Sequence, residues 1–294
     1  MRFRKITIVG VGLLGGSLGL AIKKRGLADE VAGFVRRAAS IAECKKANAV
    51  DTCTQDLREA VAEADLIVLC TPLAQMLPLL KEMRPAIKRG AIITDVGSVK
   101  ATVVKELESL VTKSGGHFIG SHPMAGAEKT GVAAARAELF TNAVCVVTPT
   151  KRSHQSAVKK VEQFWKTIGA RVVSLTPELH DELVSRSSHL PHVAAATLAN
   201  LVLNPAHPKS QPLLCANGFR DTTRIASGSP EMWRDIAMAN RKNLSKALGA
   251  FIRDLKKFQA LLKKGDEKSA EKFFTKGKQR RDNWCAKCAS PSPE

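Results

Sequence analysis

Short apolar runs alternate with amphipathic stretches through the first half of the chain, the pattern of βαβ units feeding a parallel sheet. Residues 6–9 (Ile-Thr-Ile-Val) read as the first strand and 14–25 as the helix after it. Residues 30–34 form a second strand, followed by a helix through Ala47. A third strand is predicted over 66–70 and ends at Thr71-Pro72, because proline is unsuited to a central ladder. Strands at 91–96, 117–120 and 143–147 follow, then a helix over 153–168 and a last strand at 171–175. Beyond Pro177 the texture changes: to about Gly277 apolar residues recur at three and four positions, the period of helices. The expected organisation is an α/β domain over 1–176, an all-α domain over 177–284, and a frayed tail over 285–294.

Composition narrows the class. At 294 residues, with 44% hydrophobic and 25% charged residues, the chain is globular rather than disordered or coiled-coil. No window approaches the roughly 18 consecutive apolar residues of a membrane span. The first residues, Met1-Arg2-Phe3-Arg4-Lys5, lead into an apolar run too short for a signal peptide. Seven scattered cysteines suit reduced thiols, so a cytoplasmic location is expected. The net charge of +19 is densest late, from Lys256 to Arg281, where acids are interspersed at helical spacing, as on a solvated helix face. With 4% aromatics and no tyrosine, a stacking platform for nucleic acid is poorly supplied, and no nucleic-acid partner is expected.

Gly10-Val11-Gly12-Leu13-Leu14-Gly15 fits G-x-G-x-x-G and lies between a predicted strand and a predicted helix, the context of a dinucleotide site. Gly10 permits the tight turn, Gly12 leaves room for a pyrophosphate, and Gly15 lets helix and strand pack closely. Leu13 and Leu14 belong to the same turn, and Thr71-Pro72 closes a neighbouring strand. The first half is therefore expected to be a Rossmann-like NAD(P)-binding domain. An NAD site places a carboxylate roughly 20 residues past the motif. Here Val35 stands there, followed by Arg36 and Arg37, whose guanidinium groups suit a 2′-phosphate. NADP is favoured over NAD; the alternative is that both arginines are only solvated.

Four further segments carry unusual polar groups. Asp95-Val96-Gly97-Ser98-Val99-Lys100 closes a strand, and Ser98 is either a site residue or the N-cap of a helix starting near Lys100. Gly120-Ser121-His122-Pro123-Met124-Ala125-Gly126-Ala127-Glu128 fixes His122 at a strand end, placed for proton transfer near neutral pH. In Ser188-His189-Leu190-Pro191-His192 two histidines share a helix face, but no further ligands accompany them and no metal is expected. In Asn217–Ala226, with Trp233 beyond, an arginine is either a carboxylate clamp or the partner of Asp221 in an ion pair.

In order and spacing, these segments together resemble the prephenate/arogenate dehydrogenase family of tyrosine biosynthesis, over nearly the whole chain. The resemblance implies a Rossmann-like domain followed by a helical domain that builds a homodimer. It implies oxidative decarboxylation, with a hydride leaving ring C4 and the C1 carboxylate leaving as CO2. His122 matches the histidine that accepts the 4-hydroxyl proton, and Ser98 the serine that orients this histidine and the nicotinamide. Arg224 matches the arginine that binds a substrate carboxylate, and His192 a histidine lining the pocket. His189, Asp221, Glu128 and Trp233 sit at motif positions with supporting roles. Two other readings stand beside this one: a β-hydroxyacid dehydrogenase, which relies on a lysine in its helical domain, and a nucleotide-sensing module without turnover.

Overall fold

The computed structural model describes residues 1–126, 129–204 and 209–289, except for the side chains of residues 288 and 289. Eight strands form one sheet in the order β3-β2-β1-β4-β5-β6-β7-β8. The strands are β1 (Phe3–Val9), β2 (Ala28–Phe34), β3 (Thr52–Thr54), β4 (Leu66–Leu69), β5 (Ile92–Asp95), β6 (His117–Pro123), β7 (Val144–Thr148) and β8 (Arg171–Ser174). All neighbouring pairs are parallel except β6 and β7. The central strands are apolar on both faces because helices cover both sides: Leu66–Leu69 of β4 is buried at every position.

The intervening helices are α1 (Leu13–Lys24), α2 (Ala38–Lys46), α3 (Leu57–Val61), α4 (Leu73–Met83), α5 (Ala101–Lys113) and α6 (Gln155–Ile168). One core cluster, with Ile6, Ile8, Leu18, Ile22, Phe164 and Trp165, lies on one face of the sheet, and another, with Val9, Ile67, Leu69, Leu80 and Leu107, on the other. The strand order reverses between β1 and β4, which opens a crevice at their carboxyl ends.

From residue 177 the chain is helical: α7 (Pro177–Val184), a π turn over Ser185–His189, α8 (Leu190–Val202), α9 (Asn217–Thr223) and α10 (Pro230–Ala239). The chain divides into two compact units, Met1–Arg241 and Lys242–Glu294. The change of texture at 177 therefore marks a change of secondary structure inside the first unit. The second unit is a helical hairpin: α11 (Arg241–Lys264) turns at Gly265 into α12 (Glu267–Ala289), and Phe258 packs against Phe273 at 4.7 Å. The segment from 285, expected as a tail, continues α12 as far as Ala289. Among the described residues no helix is long and apolar enough to cross a membrane.

Trp165 ties the α6 face to β6. Fully buried, it meets Phe140 and Phe164 edge-on at 5.5 and 5.4 Å, and its indole N–H donates to Ser121 Oγ at 3.0 Å. Trp165→Ala is expected to cost about 3–5 kcal/mol. This is read as a lower urea midpoint, and an unchanged midpoint would contradict the assignment.

Candidate active site

The glycine turn has the geometry its residues require. Gly10, one residue past β1, has φ +99°, and a Cβ there would lie 2.8 Å from Thr71 Cγ2 and 2.9 Å from the Cys70 carbonyl oxygen. A Cβ on Gly15 would lie 2.1 Å from the Gly10 carbonyl oxygen, so α1 can cross the turn only with hydrogen at that position. Around Gly12 nothing lies within 4 Å of the Cβ position, which leaves the space beside the turn open. No side chain caps α1, and its first turn holds no acidic residue. Those amides and the helix dipole suit the pyrophosphate of a dinucleotide. Leu13 and Leu14 pack their side chains on the core, so their backbone faces this task. Across the crevice, Thr71 Oγ1 is buried with no hydrogen-bond partner, and Pro72 leads into α4. An unmet polar atom beside an open glycine turn fits a bound ligand.

Arg36 and Arg37 follow Phe34 and the buried Val35 at the carboxyl end of β2, and both are exposed. Neither guanidinium is in an ion pair among the described residues.

His122 lies past the parallel pairing of β5 with β6, on the part of β6 that pairs with β7, opposite Val146. It is 8% exposed. Its Nδ1 is 2.8 Å from His180 Nε2, and His180 Nδ1 is 2.8 Å from Asp181 Oδ1. Ser98, expected to orient this ring, makes no hydrogen bond to it; His180, from α7, does so instead. Nor does Ser98 cap α5. Asp181 takes that part from 80 residues away, accepting the backbone N–H groups of Lys100 at 2.7 Å and Ala101 at 2.9 Å. Thr176 caps α7 and Pro177 opens it, which fixes where His180 and Asp181 emerge.

Below this lies a buried ion pair. Lys100, with no exposure, donates to Asp95 Oδ2 and to the Ser121 carbonyl at 2.8 Å. Asp95 also accepts the N–H groups of Gly97 and Ser121. Burial pulls the Lys100 ammonium below its ordinary value, against the carboxylates of Asp95 and Asp181. Burial also holds His122 well below the usual imidazole value, and the charge of Lys100 pushes the same way, so its ring is neutral at pH 7.

The helical side of the site gathers around Trp233 of α10. His192 of α8 stacks on the indole at 3.5 Å between centroids, and His189 meets it edge-on at 6.2 Å. His189 is buried, with Nδ1 3.2 Å from Asn240 Nδ2 and Nε2 without a partner. His192 Nδ1 meets the Ser188 carbonyl at 3.0 Å, and its proton affinity is lowered by burial and also by the charge of Arg224. Arg224 is thus electrostatically within reach of His192, exposed at the start of the short turn after α9. Asp221 is exposed on α9 and pairs with no arginine among the described residues. Glu128 lies outside the described residues. Among those described, no three His, Cys, Asp or Glu side chains gather as metal ligands.

Sequence reasoning passed over Lys100, His180, Asp181 and Asn240. A signal was present: His180 and Asp181 stand four and three residues before buried Val184, polar residues on the apolar face of α7.

Two family models match the chain. One is described as prephenate dehydrogenase, nucleotide-binding domain, over residues 18–174, and the other as prephenate dehydrogenase, dimerization domain, over 176–276. The glycine turn precedes the first match and rests on its own geometry. The prephenate dehydrogenase of Bacillus subtilis is 36% identical over 94% of this chain and 75% of its own length. The cyclohexadienyl dehydrogenase of Zymomonas mobilis is 35% identical over 90% of each. A crystal structure of prephenate dehydrogenase from A. aeolicus, in complex with hydroxyphenyl propionate and NAD+, has a TM-score of 0.90 at 30% identity, covering 96% of this chain and 99% of that one.

Acid should weaken the fold through His189. Burial lowers its pKa from the ordinary 6.5 to about 4. Between these values the unfolded chain holds more protons, so stability is full above pH 6.5 and falls as pH drops toward 4. The loss from this ring is about 3 kcal/mol. His189→Gln, which has no proton to gain, should lose about that much less than the parent between pH 7 and pH 4 in urea denaturation. Equal losses would contradict the assignment.

Proposed function

Because the chain belongs to the prephenate dehydrogenase family, we propose that it oxidises prephenate or arogenate at ring C4, with His122 accepting the proton of the 4-hydroxyl. The observation that supports this reading is the neutral, buried His122 ring at the carboxyl edge of the sheet, hydrogen-bonded through Nδ1 and not through Nε2. A neutral imidazole can take a proton, and a positioned base is worth roughly 10²–10⁴-fold in rate.

The glycine turn at Gly10, Gly12 and Gly15, the α1 amides and Thr71 would hold the dinucleotide, which supplies a hydride acceptor when bound. Arg36 and Arg37, in place of a carboxylate, favour NADP over NAD. Arg224 binds a substrate carboxylate, with His192 and Trp233 forming a wall of the pocket. Ser98 and His189 are assigned to the same site, a reading supported by the Ser98 backbone being among the groups that act on the His189 ring. Asp221 and Glu128 take supporting positions. As the C1 carboxylate leaves as CO2, its bonding pair completes the aromatic ring, and the ring oxygen finishes as a phenol. The enzyme acts in tyrosine biosynthesis. The dimerization-domain match supports a homodimer. The free thiols of Cys44, Cys53, Cys70, Cys145, Cys215 and Cys285 agree with a reducing cytoplasm.

The test is a two-by-two assay, prephenate or arogenate with NAD+ or NADP+, following absorbance of the reduced cofactor. Turnover is expected, best with NADP+; a preference for NAD+ would remove the role given to Arg36 and Arg37. His122→Asn is expected to lower kcat by about 10²-fold or more, and Arg224→Ala mainly to raise KM. Near-normal turnover in His122→Asn would sink the assignment of the base.

A further inference from the structure

We propose that His180 and Asp181 are positioning residues that decide which nitrogen of His122 carries its proton, leaving Nε2 as a lone pair. The proposal rests on His122 being the base, and it follows from a chain of hydrogen bonds in which each link fixes the next.

The chain starts at the Asp181 carboxylate. Its two oxygens face backbone donors, the N–H of Lys100 and the N–H of Ala101. α5, a 13-residue helix with no side-chain cap of its own, presents its positive end there. The group is thereby held as an acceptor. Oδ1 also faces His180 Nδ1 at 2.8 Å, so His180 must carry a proton on Nδ1. In this proposal His180 holds that proton alone, so that its Nε2 is a lone pair, 2.8 Å from His122 Nδ1. Two lone pairs do not meet at that distance, so His122 Nδ1 carries the hydrogen. Its Nε2 is left able to accept.

Asp181 acts in the opposite sense on a second ring. Its backbone carbonyl accepts from Asn240 Nδ2 at 2.7 Å, and a carbonyl can only accept, so the orientation of that amide is settled. The other hydrogen of Nδ2 faces His189 Nδ1 at 3.2 Å, which makes that nitrogen the lone pair. His189 therefore carries its proton on Nε2, the atom left without a partner. One residue thus makes His122 an acceptor and His189 a donor, which separates the base from the neighbouring imidazole that acts on it electrostatically.

In the reaction the substrate O–H bond breaks toward His122 Nε2, and the resulting imidazolium is stabilised by the His180–Asp181 chain. The proton returns to the phenolate oxygen after CO2 leaves, so no further reactant is needed. His180 touches neither substrate nor cofactor in this scheme. It acts through His122.

The direct test is the ¹⁵N spectrum of the protein labelled in histidine, at pH 7, with resonances assigned from His122→Asn, His180→Phe and His189→Gln. A pyrrole-type Nδ1 and pyridine-type Nε2 are expected for His122, with the reverse for His189. A pyridine-type Nδ1 on His122, or a doubly protonated His180, would overturn the proposal. In kinetics, His180→Phe should lower kcat by about 10²–10⁴-fold with KM little changed. His180→Gln, whose Oε1 can accept the His122 Nδ1–H, should recover part of that loss. Full turnover in His180→Phe would also overturn the proposal. Full turnover in His122→Asn would instead refute the base itself, whatever the spectrum shows. Because the spectrum is read on the parent protein, a variant that fails to fold does not remove the test.

Discussion

The site depends on one carboxylate. Asp181, on the first helix after the sheet, accepts two backbone N–H groups at the start of α5 and one imidazole of its own helix. Hydrogen bonds to a charged group contribute about 1.5–3 kcal/mol each, enough to hold α7 against α5 at this point. Without that clamp, the loop from Asp95 to Lys100 and the ring of His122 would lose their common support. The clamp sits where the α/β and helical parts of the first compact unit meet, and there it aligns groups that lie far apart in sequence.

Buried charge is costly, and here it is concentrated at the carboxyl edge of the sheet. Lys100, Asp95, Asp181, His180 and His122 are all buried, and each finds a partner. A buried pair of this kind is weak evidence for stability, because apolar residues of similar volume often serve a fold as well or better. Its presence is better explained by chemistry. A buried hydrogen-bonded network holds a neutral imidazole in one orientation, with little reorganisation left to make during reaction. The open glycine turn and the unmet Thr71 hydroxyl lie along the same sheet edge.

Much of this was legible in the residues. Glycine at positions 10 and 15 has a local cause, a positive φ and a 2.1 Å approach, so the motif carries its own structure. The end of β4 before Thr71-Pro72 was legible as well, because proline is unsuited to a central ladder. β3 was not, because Thr52–Thr54 is a three-residue edge strand with no apolar run. The antiparallel pairing of β6 with β7 depends on how the chain returns, which periodicity does not encode. The pairing of His180 with His122 spans 58 residues, and the capping of α5 by Asp181 spans 80; such contacts exist only once the sheet has formed. The segment from 285 looked like a tail because its end is rich in serine and proline, yet its first residues continue the helical period of α12.

Whether His122 acts as a neutral base in a buried setting is read most directly from the pH dependence of kcat/KM. The free enzyme's essential base sets the acid limb of that profile. Activity should persist as pH falls past 6.5, the ordinary imidazole value, and be lost only well below it, because burial and the charge of Lys100 oppose protonation of the ring. An acid limb at or above about 6.5 would contradict a neutral, buried His122 as the base.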